Sequence, residues 1–285
     1  MENIRSIQKI FAGKPTLEGA GVKLKRAFGY HEVPLFDPFL LLDDFHSDNP
    51  SDYLAGFPMH PHRGIETITY LIHGKVEHQD SLGNKGIIGP GQIQWMTAGN
   101  GIIHQEMPKK TNGSLLWGTQ LWANLPSSHK MMNPRYRDIT ENDIPEVKIN
   151  DNIFVKIISG EVKGVKGPVQ DIVTQPEYLD ITISGEAEFL HEVEPGHTVF
   201  AYILLGSGIF EENGQEIRKE HVVLYKDGYQ IRIRNASKDI LRFLLVSGKP
   251  IYEPVAWRGP IVMNSQEELQ FAFEELRKGT FIKHK

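Results

Sequence analysis

Two short runs of polar residues carry the chemistry this chain could do. His60-Pro61-His62 places two imidazoles two residues apart. In a strand such residues point to the same face, so both rings can reach one ion. With 12 histidines in 285 residues, chance alone supplies about half of one such pair. Taken alone, the pair fits two surface histidines beside a proline equally well. His104-Gln105-Glu106 repeats the spacing with one nitrogen and one carboxylate oxygen. The two pairs strengthen each other. Each sits where a β-like run meets glycine-rich turns, and about forty residues of strand-and-turn sequence separate them. Two such strands facing each other inside a small barrel would converge three nitrogens and one oxygen on one point. Room would be left for water or substrate. That donor set suits Fe(II), Mn, Co, Ni, Cu or Zn. Iron is favoured, because histidine and carboxylate with open positions is the usual arrangement of non-haem iron.

The elements that must position these residues are short strands. Alternating or apolar runs recur at Glu66 to Ile72, Gly86 to Ile88, Gln92 to Met96, Phe154 to Ile158, Thr198 to Leu205, His221 to Tyr225, Gln230 to Arg234 and Leu241 to Val246. Turn signals stand between them: Gly83-Asn84, Gly89-Pro90-Gly91, Asn213-Gly214 and Asp227-Gly228. This cadence is that of an all-β sandwich or barrel. Ile231 and Ile233 alternate with Arg232 and Arg234, which predicts one buried and one wet face. The two halves share a weak repeat of strand, glycine turn, strand, glycine-containing turn, strand. Two tandem barrels therefore explain the length better than one. The stretch from Asn124 to Pro145 is rich in Pro, Ser and Asn with little periodicity. The boundary is placed there, giving domains of 1–130, with the metal site, and 131–285. One helix is marked near the C-terminus. Asn264 can cap it with Glu267 returning the bond, Leu269, Ala272, Phe273 and Leu276 form its stripe, and Gly279 stops it. That stripe needs a barrel surface to cover.

Bulk composition narrows the class. Formal net charge is -5, from 31 basic and 36 acidic residues, with no basic run for phosphates. Direct nucleic-acid binding is not expected. The chain has no cysteine, so disulfides, thiolate zinc sites and iron–sulfur clusters are excluded. Neither a signal-peptide h-region nor a bilayer-length apolar run is present. A soluble cytoplasmic protein is expected.

At the level of whole motifs the chain resembles the pirin family. The segments that carry the likeness are Phe57-Pro-Met-His60-Pro-His62-Arg-Gly-Ile-Glu66-Thr-Ile-Thr-Tyr70 and Gly91-Gln-Ile-Gln-Trp95-Met-Thr-Ala-Gly99-Asn-Gly-Ile-Ile-His104-Gln-Glu106-Met-Pro108. Asp37 to Asp44 and Gly259 to Asn264 are similar to pirin segments too. The resemblance implies two cupin jelly-roll barrels and one iron in the N-terminal one, held at His60, His62, His104 and Glu106. It also implies quercetin 2,3-dioxygenase activity, with a flavonol-like aromatic substrate and O₂. Family members are further associated with redox-dependent transcriptional co-regulation or with binding metabolic enzymes, so a protein partner is the second expectation. Glu66 stands where general cupins place a ligand glutamate. In pirins it is not the usual ligand, so it either accepts a bond from a ligand imidazole or is a polar partner within its strand. Glu106 is a ligand, and is also the candidate base for the flavonol hydroxyl proton. Trp95 and Met96 line a pocket or pack the core, and core is favoured. His78 and Asp80 could reach the cavity mouth, with a solvated turn favoured for Asp80. In the second half His197 lacks a partner histidine, and His191 and His221 are isolated. That barrel reads as scaffold or partner surface.

Overall fold

Backbone amides in short alternating runs can be paired only between strands, and the described residues correspondingly form antiparallel β-sheet with one α-helix. The computed structural model describes residues 4–110 and 113–283. Strands form at Thr198–Leu205 and His221–Tyr225 as the runs predict, and the run from Glu66 lies within the strand Ile65–His73. Among the described residues no helix is long and apolar enough to cross a membrane.

The chain divides into two compact units, each with one seven-stranded and one four-stranded sheet. The first comprises Lys14–Leu35, Phe39–Glu141 and Ile251–Lys285. Its four-stranded sheet runs Phe57–His62, Ile102–Lys109, Lys75–Asp80, Lys85–Ile88. Its seven-stranded sheet has Leu116–Asn124 between Ile65–His73 and Phe39–Ser47. The second unit comprises Met1–Gly13, Phe36–Pro38 and Asn142–Pro250. Its interior holds a large apolar cluster, with Ile231 and Ile233 packed against Phe189, Phe210 and Phe243. Arg234 on the alternate face is exposed.

These units differ from a single cut at residue 130. The strand Ile7–Ala12 pairs with His221–Tyr225, and the segment from Ile251 onward packs with the histidine-bearing unit. A linear reading assigns sequence neighbours to one domain. The Ile7–Ala12 strand instead finds its partner more than two hundred residues away.

The C-terminal helix, Gln266–Lys278, is capped one residue later than expected. Ser265 Oγ accepts from Glu268 N at 3.2 Å, and Glu268 Oε2 accepts from Ser265 N at 3.1 Å. Ser-x-x-Glu thus forms the capping box. The Asn264 amide is spent instead on Glu253 and the Pro254 carbonyl. Gly279, left-handed at φ +70°, ends the helix. Leu269 and Ala272 bury against Ala256, Ile261, Met263 and Phe281, with Phe273 and Leu276 at the border of that cluster.

Gly64 follows the His60-Pro61-His62 strand at φ +79°, and a Cβ there would meet the Val262 carbonyl oxygen at 1.9 Å. Gly164 has the same φ of +79° with open space around it. Gly164→Ala should cost only the left-handed backbone penalty, ~1–2 kcal/mol. Gly64→Ala should cost distinctly more, read as a lower denaturant midpoint.

Candidate metal centre

The two motifs meet because their strands pair. Phe57–His62 runs antiparallel to Ile102–Lys109, with His60 opposite His104 and His62 opposite Ile102. Period-2 alternation then turns His60, His62 and His104 to one side. One ring nitrogen from each lies within 4.8 Å of the others. His62 and His104 are each 1 % exposed, and His60 is half-buried.

Hydrogen bonds fix which nitrogens face inward. His60 Nδ1 lies 2.8 Å from the Pro58 carbonyl, and His62 Nδ1 lies 3.1 Å from the Pro260 carbonyl. A carbonyl only accepts, so both rings carry hydrogen on Nδ1 and leave Nε2 bare. Those two bare Nε2 atoms stand 3.1 Å apart. Neither ring nitrogen of His104 has a hydrogen-bond partner. Burial, reinforced by the neighbouring imidazoles, holds His62 and His104 well below the ordinary imidazole pKa. The rings of His62 and His104 are therefore neutral, which is the ligating form. Unpaired acceptors in a dry interior are costly, and a cation among the three would satisfy all of them. The residues present fit a metal bound through imidazole nitrogen.

Glu106 lies outside that group of mutually close donors. The pairing slips between His104 and Glu106, which sets Glu106 opposite Phe57. Its carboxylate is buried and held from the opposite sheet. Thr69 Oγ1 donates to Oε1 at 3.0 Å, and Gln120 Nε2 donates to Oε2 at 2.8 Å. Gln120 Oε1 in turn accepts from Trp122 Nε1 at 3.0 Å, which orients the amide. Glu106, His60 and His62 face one cavity of about 610 Å³. Trp122, Trp257 and Tyr30 wall it. The Trp122 ring stands edge-on to His62 at 5.0 Å. Arg26, bidentate to Asp43 at 2.9 and 2.7 Å, closes another side.

The remaining predicted residues fall elsewhere. Glu66 accepts from Thr97 Oγ1 at 2.6 Å, so it is the strand partner rather than a support for an imidazole. Trp95 and Met96 are buried, Met96 in a cluster with Leu40, Ile65 and Ile102. His78 is buried against Tyr136, whose hydroxyl lies 3.1 Å from Nδ1. Asp80 is buried rather than solvated, and its carboxylate closes the turn through Leu82 N, Asn84 N and Asn84 Nδ2. Gln120, Thr69, Trp122 and Trp257 were not anticipated. The available signal was polar alternation within strands that otherwise read as core, such as Thr67 and Thr69, or Gln120 among apolar neighbours.

The second unit has a larger cavity, about 1010 Å³, lined by Glu177, His191, His197 and Tyr229 among others. His191 Nε2 is 2.9 Å from Glu177 Oε1. Among the described residues, His60, His62 and His104 form the one group of three converging metal donors.

Two antiparallel barrels in one chain, one with a histidine-lined polar interior and one filled with apolar side chains, define a double cupin. Two family models agree with that class. Pirin matches residues 21–123, and the Pirin C-terminal cupin domain matches residues 178–282. The chain belongs to the pirin family. It is 39% identical over 284 residues to a Pseudomonas aeruginosa protein named "Putative quercetin 2,3-dioxygenase", covering 98% of this chain and 99% of that one. It is 38% identical over 263 residues to human pirin, covering 91% and 88%. A crystal structure of quercetin 2,3-dioxygenase from Acinetobacter baumannii superposes with TM-score 0.90 at 29% identity, covering 98% of both chains.

His60→Ala, His62→Ala and His104→Ala should each lose stoichiometric metal after dialysis. Glu106→Gln should keep an ion on the three imidazoles at reduced affinity. Elemental analysis of the four proteins checks both statements.

Proposed function

We propose that the chain is a metal-dependent dioxygenase that opens a flavonol-like ring with O₂. One divalent ion, Fe(II) first among the candidates, would be held by His60, His62 and His104, with Glu106 completing the set. One observation carries the reading: His60, His62 and His104 converge, both ring nitrogens of buried His104 lack a partner, and His60 and His62 face an aromatic-sided cavity. The names of relatives similar over nearly the whole chain point the same way. When bound, the ion supplies Lewis acidity and redox capacity toward O₂.

The chain's own residues supply the rest. Trp122, Trp257 and Tyr30 offer faces and edges to a planar aromatic substrate. Glu106 is placed to accept the hydroxyl proton of the flavonol, which raises electron density in the ring that O₂ attacks. Thr69 and Gln120 hold that carboxylate while leaving it lone pairs for substrate or metal. Burial of His62 and Glu106 limits water on that side of the cavity and so favours the oxygenative outcome over side reactions. Absence of cysteine and of an apolar spanning helix among the described residues fits a cytoplasmic setting.

Fe(II)-loaded protein with quercetin in air should consume O₂ and flavonol in equal amounts, followed by an oxygen electrode and flavonol absorbance. Glu106→Gln should lower kcat per bound metal by roughly 10²–10⁴-fold. No turnover from protein that holds one iron per chain would defeat the enzymatic reading. It would move the assignment to a redox-responsive regulator of a partner protein.

A further inference from the structure

The orientation of His62 depends on an oxygen almost two hundred residues away in sequence. Its Nδ1 donates to the Pro260 carbonyl at 3.1 Å. Pro260 lies in the turn between the strands Ala256–Arg258 and Ile261–Met263. That hairpin is pinned beside the ligand strand at several points. Val262 N donates to the Arg63 carbonyl at 3.1 Å. Lys130 Nζ, buried, donates to Gly64 O at 2.9 Å and to Val262 O at 3.1 Å. No side chain fits at Gly64 because the Val262 carbonyl occupies the space.

Arg63, the residue after the ligand, gathers these parts together. It is 1 % exposed. Its guanidinium donates to Asn100 O at 2.7 Å, to Glu275 Oε2 at 2.7 Å and to Phe281 O at 2.9 Å, and it lies 4.1 Å over the Phe281 ring. Asn100 belongs to the turn that leads into the His104 strand. Glu275 lies on the C-terminal helix, which packs on the hairpin that carries Pro260. One buried cation therefore joins both ligand motifs, the helix and the tail beyond it. A buried ion pair of this kind adds little net stability relative to apolar packing. Its use here is positional: it fixes where groups sit.

We propose that the C-terminal segment, residues 256–281, is a working part of the metal centre, and that Arg63 and Glu275 are positioning residues. They hold the Pro260 carbonyl against His62 Nδ1, so that His62 Nε2 is presented bare and correctly aimed. The inference rests on the three histidines binding a metal. By reciprocity, if the segment favours metal binding, metal must favour docking of the segment by the same factor.

The test uses Zn(II) alone as probe, on the full chain. Zn(II) should slow hydrogen exchange in peptides from 256–281 as well as in those from 57–62 and 102–109. Glu275→Gln should weaken Zn(II) binding by about 10- to 100-fold. ¹⁵N spectra of its zinc-free form should show that His62 has lost its fixed Nδ1–H tautomer. Gly259→Ala gives a second route should Glu275→Gln fail to fold. Gly259 sits at φ +55° with open space around its Cβ, so the substitution disturbs the Pro260 turn through the backbone alone. It should shift the same two readouts. Glu274→Gln, on the solvent side of the same helix, should bind Zn(II) as the unchanged protein does. Tight Zn(II) binding with protection confined to 57–62 and 102–109, and unaltered in Glu275→Gln and Gly259→Ala, would overturn the proposal. No Zn(II) binding by the unchanged protein would defeat the metal reading itself, and this inference with it.

Discussion

Three imidazole nitrogens directed at one another in a dry interior are the constraint around which the histidine-bearing unit is organised. Lone pairs in that position repel, and those of His62 and His104 are buried away from water. The arrangement is held by what surrounds it. Antiparallel pairing of Phe57–His62 with Ile102–Lys109 sets the spacing. Two backbone carbonyls, of Pro58 and Pro260, set the tautomers. Burial keeps the rings of His62 and His104 neutral.

The polar demand spreads outward from that point. Glu106 needs Thr69 and Gln120, and Gln120 needs Trp122. Such networks are stable in a core only when their members are satisfied. The second unit, with the same two-sheet plan, gathers no such group of histidines among the described residues, and its core cluster is mostly Ile, Val, Leu and Phe. The same architecture thus supports a polar interior and an apolar one. The difference lies in which residue types occupy the inward positions of equivalent strands.

The cavity beside the histidines follows from the same placement. Aromatic rings from distant segments meet at Trp257, which lies 5.5 Å from Tyr30 and 5.9 Å from Trp122. They give an apolar wall to a pocket whose floor is polar. Such a pairing of surfaces orients a flat, hydroxylated ligand by its faces and its edge together.

Much of this was legible before any coordinates. Strand period, glycine turns and the two His-containing motifs follow from local chemistry. Residue pattern alone implies the all-β class, many of the strands, the helix and the two histidine motifs. It did not place Glu106 relative to the trio, because a slip in strand pairing is not written in residue spacing. Nor did it show that the compact units interleave along the chain. The segments 1–13 and 251–285 find their partners across most of the chain length. It was silent on Arg63 with Glu275, on Lys130 beneath Gly64, and on the carbonyl that aims His62. Those are contacts between backbone oxygens and side chains far apart in sequence. They exist only once the chain has folded, since any residue type offers a carbonyl and nothing in the local pattern says which one will arrive.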